Sequence, residues 1–533
     1  MKSRHAHPVR GLTANAITQH KPGLFGKMFP SLSPASFGAN DQANKDALIA
    51  LGSAIVASVD APKDGPDSEE SGIPALYTYF GQFIDHDLTF DPASELQKQQ
   101  DPDGLVDFRT PAFDLDNVYG RGNADQPYLY DGGNGNGNQF LLGAPLSGGE
   151  QFARDLLRNG AFPNRAIIGD PRNDENVIVS QFQGLVLRFH NHAVRDFPNK
   201  SFQQINEFVR HHYQYVMLHD FLPKIVSNAV LSQLKGPGGH YQKAKLHWYH
   251  PGTSVIGGIS FSQAYMPVEF SVAAYRLGHS MVRPGYRLNE QVLLPIFPLP
   301  GFPAGLTGFA QMPQDWGIDW GRFIDVDLRP SGGTPNAPGE LVDQQRRLQF
   351  AYRIDTSTVA PLGNLPASIA GSGPISLPIR NLLRGWALKL PSGQAVATAM
   401  GVPVLSDADI EIGKFGEPGN PTMQSLIASN AIPASFTGNT PLWLYILAEA
   451  MRHAVTMTIP VEENVVNPSP ITVMTPQLGP VGGRLVAETF LGILFADASS
   501  LLHRTTPLNP ALTVHRPGKT AYTLADFVNY ALT

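Results

Sequence analysis

The chain has 533 residues, of which 16% are charged and 42% apolar, and its 45 acidic side chains outnumber 39 basic ones for a net charge of −6. That balance argues against general nucleic-acid binding, which needs basic patches to neutralise phosphates. Cysteine is absent, which excludes disulfides, thiolate metal sites, iron–sulfur clusters and cysteine nucleophiles and leaves the chemistry to histidine, carboxylates, arginine or a cofactor.

The basic segment 1–40 reads as an N-terminal arm. It lacks the apolar core of a secretory signal, so the expectation is a cytoplasmic protein, or one exported without a conventional signal. Ile73, Leu76, Tyr77, Phe80 and Ile84 follow 3–4 spacing and predict a helix that opens near Pro74. Within it Gln82, Asp85 and His86 fall at i, i+3 and i+4 and share a face, while Asp87 points elsewhere. These are either an exposed polar stripe or a buried set of acid/base groups. The surrounding Phe80, Phe83 and Ile84 weaken the first reading, because three buried polar groups need partners.

Residues 109–120 place Asp114 and Asp116 two apart with Thr110 nearby. Hard oxygen donors suit calcium, although a solvated loop is the plainer reading and the stretch is not an EF-hand. The Gly/Asn-rich residues 131–140 loosely echo a dinucleotide loop, without the strand before or the helix after that such a loop requires. Ile178, Phe182, Leu185, Val186, Phe189 and Ala193 predict a second helix, with Asp170 as N-cap and Pro171 at its first position. Arg172 and Glu175 then stand in the first turn, as a surface ion pair or as a guanidinium able to stabilise charge on a bound oxygen.

His190, His192, His240, His247 and His250 read as surface histidines. Val272, Ala273, Leu277 and Met281 predict a third helix that stops at Pro284 and Gly285. His279 lies on it beside Gly278. A lone histidine there is more often a hydrogen-bonded core residue than a ligand, but the small neighbours leave room for a flat cofactor. Leu442, Ile446, Leu447 and Met451 predict another helix. The apolar stretches 441–451 and 490–502 fall short of the roughly 18 residues that span a bilayer. Strand patterns are few and short, so the expectation is a mainly α fold in one large domain over 1–533.

In this order, the stretches resemble the animal-type haem peroxidases, in the branch of myeloperoxidase, lactoperoxidase and their bacterial relatives, over roughly residues 72–452. The GQ-x-x-DHD pattern at residues 81–87 implies His86 as distal histidine, Gln82 as distal glutamine and Asp85 as a haem-ester carboxylate. The R-x-x-E pattern implies Arg172 as distal arginine and Glu175 as the second ester. The R-x-G-H pattern at Arg276 and His279 makes His279 the proximal iron ligand, and LPIRNLLRG supplies Asn381 as its hydrogen-bond acceptor. The calcium ligands would be Asp87, Thr110, the Ala112 carbonyl, Asp114 and Asp116. Asn176 stands where myeloperoxidase has the methionine of its sulfonium link, so that link is impossible here. Asp116 stands where mammalian members carry serine.

The resemblance implies haem b, with ester links through Asp85 and Glu175, and Ca2+, with hydrogen peroxide and small electron donors or halides as partners. Turnover would pass through an oxo-iron(IV) intermediate that oxidises phenols, halides or thiocyanate. A second expectation is a haem-dependent fatty-acid dioxygenase of the same superfamily. Such enzymes carry tyrosine three residues before the proximal histidine, where this chain has Arg276, with Tyr275 one further back. A third, a haem- or calcium-binding module without turnover, predicts loss of His86 or Arg172, and both are present.

Overall fold

The long helices begin where a short polar side chain takes up the first free N–H groups. Asn40 caps Asp41–Ile55, Ser201 and Gln204 form a reciprocal capping box on Phe202–Val216, and Ser376 caps Leu377–Ala387. Each cap contributes on the order of 1 kcal/mol. The computed structural model describes residues 25–57, 68–89, 111–133, 137–256, 259–326, 348–371, 373–459, 471–504 and 521–533. Among these, strands occur only as two-stranded pairs, such as Glu70–Pro74 antiparallel to Phe350–Tyr352 and Val455–Ile459 antiparallel to Ile471–Thr475. The fold is mainly α, as expected. Among the described residues no helix is long and apolar enough to cross a membrane.

One apolar cluster runs from Met28 to Leu532, well past the motif-bearing span 72–452. Its N-terminal end is tied by Glu269, whose carboxylate accepts from the backbone N–H groups of Met28 and Phe29 at 3.1 Å each. Its C-terminal end is the helix Leu524–Leu532, which stacks Phe527 on Phe189 with ring centroids 4.1 Å apart.

The helix Leu76–Leu88 sits inside this cluster. Phe80 and Phe83 meet Phe182 and Tyr213 edge-to-face, and Phe80 also meets Phe221, a geometry aromatic rings favour. Phe221 belongs to a wider, π-type turn at Met217–Phe221. A side chain at Gly81 would begin 3.2 Å from the Phe221 ring, so glycine permits the contact. Asp220 of the same turn accepts from the Tyr77 hydroxyl at 2.6 Å and from the Leu524 N–H at 2.7 Å. The distal helix and the chain's last helix thus share one anchor.

Several local expectations are corrected. Ile73 and Pro74 belong to the strand Glu70–Pro74, and the helix starts only at Leu76. The second helix starts at Val177 under an Asn176 cap; Asp170 and Pro171 instead open a separate 3-10 turn, Pro171–Asp174. The third predicted helix is broken at Ala273 (φ −124°, ψ −72°), between a short helix Val268–Val272 and a 3-10 turn Ala274–His279. β-Branched Val268 and Val272 with Gly278 give that segment little helical preference of its own. His190 is fully buried, whereas His240, His247 and His250 are exposed and His192 is half-buried.

Candidate active site

His86 lies near the end of the helix Leu76–Leu88 and is buried, with Gln82 and Asp85 half-buried, so this face is not an exposed polar stripe. Its Nδ1 is 2.7 Å from Asn173 Oδ1, and its Nε2 is 3.6 Å from Glu175 Oε1. Gln82, one turn earlier, donates from Nε2 to that same Glu175 oxygen and accepts at Oε1 from Asn176 Nδ2 at 3.0 Å. Asn176 also accepts the N–H groups of Ile178 and Val179, at 3.1 and 2.9 Å. One asparagine therefore caps a helix and orients the distal glutamine. The two chain segments face each other through these contacts.

Arg172 does not pair with Glu175. Its guanidinium meets the buried Asp170 carboxylate at 2.8 Å and donates to the carbonyls of His86, at 3.0 Å, and Thr89. Asp170 is the residue that caps this turn, so the cap also fixes the arginine beside His86. Asn173, Asn176 and Asp170 escaped sequence reasoning as site residues, because asparagine and aspartate near a helix start read as caps. The usable signal was their position inside the same turn as R-x-x-E.

The opposite wall is the turn Ala274–His279, which packs against the distal helix. Asn381, buried on the helix Leu377–Ala387, brings its side-chain amide 2.8 Å from His279 Nδ1. The pair is the one expected, but its polarity is reversed: Nδ2 faces the ring. Binding a metal through Nε2 requires the amide turned so that Oδ1 accepts from Nδ1–H. Burial, and then the Arg276 charge, push the His279 imidazole down to about 3, so it stays neutral, as a ligand must. Burial lowers Arg276, and Asp85 across the gap partly restores it. Burial, and next Asp85, raise the Tyr275 phenol well above its ordinary value. Tyr275 stacks on Phe270 at 4.7 Å between ring centroids.

A second cluster lies behind His86. Asp87, Asp114 and Asp116 each bring one carboxylate oxygen within 4.8 Å of the others. The Asp114 carboxyl is raised by burial and by Asp116, against a lowering by Arg210. Leu115 between them adopts a left-handed backbone (φ 59°), which costs an L-residue roughly 1–2 kcal/mol. Ala112 is described and half-buried; Thr110 lies outside the described residues.

Residues 97–296 match the family model for the animal haem peroxidase. Over that span the chain is similar to the animal haem peroxidases. The matched span includes Arg172, Glu175 and His279; His86 and Asn381 lie outside it. The chain is 29% identical over 171 residues to a dual oxidase of Drosophila melanogaster, covering 30% of this chain and 9% of that protein. It therefore spans under a tenth of that relative's length. In fold it is similar to peroxidase A of Dictyostelium discoideum (TM-score 0.54, 16% identity, 89% of this chain and 88% of the other). It is also similar to a fatty acid alpha-dioxygenase of Arabidopsis thaliana (TM-score 0.51, 10% identity, 94% and 74%). The chain thus shares its fold with a protein named a peroxidase and with one named a dioxygenase.

The matched family model implies haem, and three features of this site fit one. A side chain built at Gly278 would meet nothing within 4 Å, which leaves open space beside His279. Arg276 Nε and the Tyr275 hydroxyl are enclosed without a hydrogen-bond partner among the described residues. Two histidines, each held by a buried asparagine, stand on the two packed walls.

Proposed function

We propose that this chain is a haem peroxidase that uses hydrogen peroxide to oxidise small donors such as phenols, halides or thiocyanate, and that residues 1–533 form one domain. Haem, when bound, supplies the redox centre that takes oxidising equivalents from peroxide. His279 would hold it through Nε2, with Asn381 orienting the ring. Asp85 and Glu175 would tie it by esters, and Arg276 would add a charged contact to it. His86 Nε2 takes a proton from one peroxide oxygen and returns it to the other as the O–O bond breaks. Arg172, fixed beside His86, stabilises negative charge on the departing oxygen. The Gln82 amide donates toward water or a small anion over the same site. Calcium would bind Asp87, Asp114 and Asp116 with Thr110 and the Ala112 carbonyl, and so steady the helix end that carries His86.

The observation that supports this reading most strongly is the pair of asparagine-held histidines on facing walls. Fatty-acid dioxygenation is the second reading, favoured by Tyr275, whose hydroxyl is buried without a hydrogen-bond partner among the described residues. Its one-residue displacement from the dioxygenase register and its stacking on Phe270 count against it. Substitution tests the assignment. His279→Ala should change or abolish the haem Soret band. His86→Ala should keep haem and slow the peroxide reaction by about 100-fold or more. Wild-type peroxide turnover by His86→Ala would refute the assignment.

A further inference from the structure

Asn173 touches nothing that reacts, yet its side chain is fully buried directly behind His86. Its Nδ2 donates to Gln183 Oε1 at 2.9 Å, and Gln183 is itself fully buried on the helix Val177–Asp196. An amide has one donating end and one accepting end. With the donating end given to Gln183, the end facing His86 is the carbonyl oxygen, so the bond runs from His86 Nδ1–H to Asn173 Oδ1. The ring's other nitrogen, Nε2, then carries the lone pair, on the side of Glu175 and Gln82.

We propose that Asn173, oriented by Gln183, is a positioning residue that holds the distal imidazole in its Nδ1–H tautomer. A neutral histidine has two tautomers, and only this one presents a lone pair at Nε2. A base that must accept a peroxide proton at Nε2 is useless in the other. With Gln183 Oε1 turned to Asn173, the two amides select this tautomer before any substrate arrives, and the short turn Pro171–Asp174 delivers Asn173 and Arg172 to the same histidine from adjacent positions. The inference rests on the reading of His86 as the distal base. Its main test does not depend on turnover.

That test is nitrogen-15 NMR of histidine-labelled full-length chain, with and without diamagnetic zinc protoporphyrin, with the His86 signals assigned by their loss in His86→Gln. The expected wild-type pattern is a protonated Nδ1 and an unprotonated Nε2. A protonated Nε2 in both samples would overturn the proposal, and this needs no folded variant. Asn173→Leu should lose the pattern and lower kcat/KM for peroxide by about 10- to 100-fold, with the KM for a phenolic donor unchanged. Asn173→Asp keeps an oxygen at Nδ1, and a turned Gln183 amide can donate to it. It should retain the Nδ1–H pattern and recover peroxide kcat/KM to within a few-fold of wild type. Loss of both in Asn173→Asp, or retention of both in Asn173→Leu, would contradict the proposal. Failure of the peroxidase reading would appear instead as absent peroxide turnover with the wild-type tautomer intact.

Discussion

His190 shows how a residue's surroundings decide its part. It follows an apolar helix face and has a second histidine two residues on, yet both ring nitrogens are engaged, Nδ1 with the Tyr119 hydroxyl at 2.9 Å and Nε2 with the Asn138 carbonyl at 2.7 Å. Burial lowers its imidazole to about 4, against a smaller raising by the Asn138 carbonyl. The neutral ring is the form the fold favours. Its contribution is complete above about pH 6.5 and is lost as pH falls from there toward 4, by about 3 kcal/mol. The stability advantage of wild type over His190→Gln should therefore shrink across that window in denaturant titrations; a constant gap would contradict it. Asn176 makes a second residue-scale case. Asn176→Ala removes a helix cap, which costs about 1 kcal/mol, and takes away the donor to Gln82 Oε1 while the Gln82 bond to Glu175 remains. His86 and His279 were legible as polar groups in apolar runs, and Arg172 by its spacing to Glu175. The asparagines were not, since Asn173 and Asn176 meet His86 and Gln82 across about ninety residues of chain.

At the scale of elements, sequence periodicity located the helices better than their ends. Pro74 looks like a first-turn proline, but Glu70–Pro74 pairs with Phe350–Tyr352, a partner nearly three hundred residues away that local spacing cannot show. The break at Ala273 is equally tertiary: the turn Ala274–His279 meets the distal helix and the helices Leu442–Met451 and Pro480–Ala496. The distal helix joins two proposed sites at successive residues, with His86 at the peroxide site and Asp87 in the carboxylate cluster. Removing calcium should leave clustered carboxylates without their cation and loosen the end of this helix. Chelation should thus lower the melting temperature by several degrees and slow peroxide turnover, and Asp114→Ala should abolish the calcium-dependent shift. Identical melting with calcium and with chelator would remove the metal from the account.

Across the whole molecule, the sequence motifs end near residue 452, but the core does not. The helix Pro480–Ala496 and the terminal Leu524–Leu532 complete one apolar cluster, and Asp220 ties the terminal helix to the distal one. That packing was illegible beforehand because neither segment carries a chemical motif and the partners of both lie hundreds of residues away. Two enzyme classes share this architecture, so fold alone does not choose between them. The choice rests on His86, Arg172 and the register of Tyr275. The most direct test is steady-state turnover of the haem-loaded chain with peroxide against a phenol, bromide, iodide and thiocyanate, and with dioxygen against an unsaturated fatty acid. The account predicts peroxide-dependent oxidation of the phenol or an anion, abolished in His86→Ala, and no oxygenation of the fatty acid. Fatty-acid oxygenation without peroxidase turnover, or failure of the chain to take up haem, would contradict it.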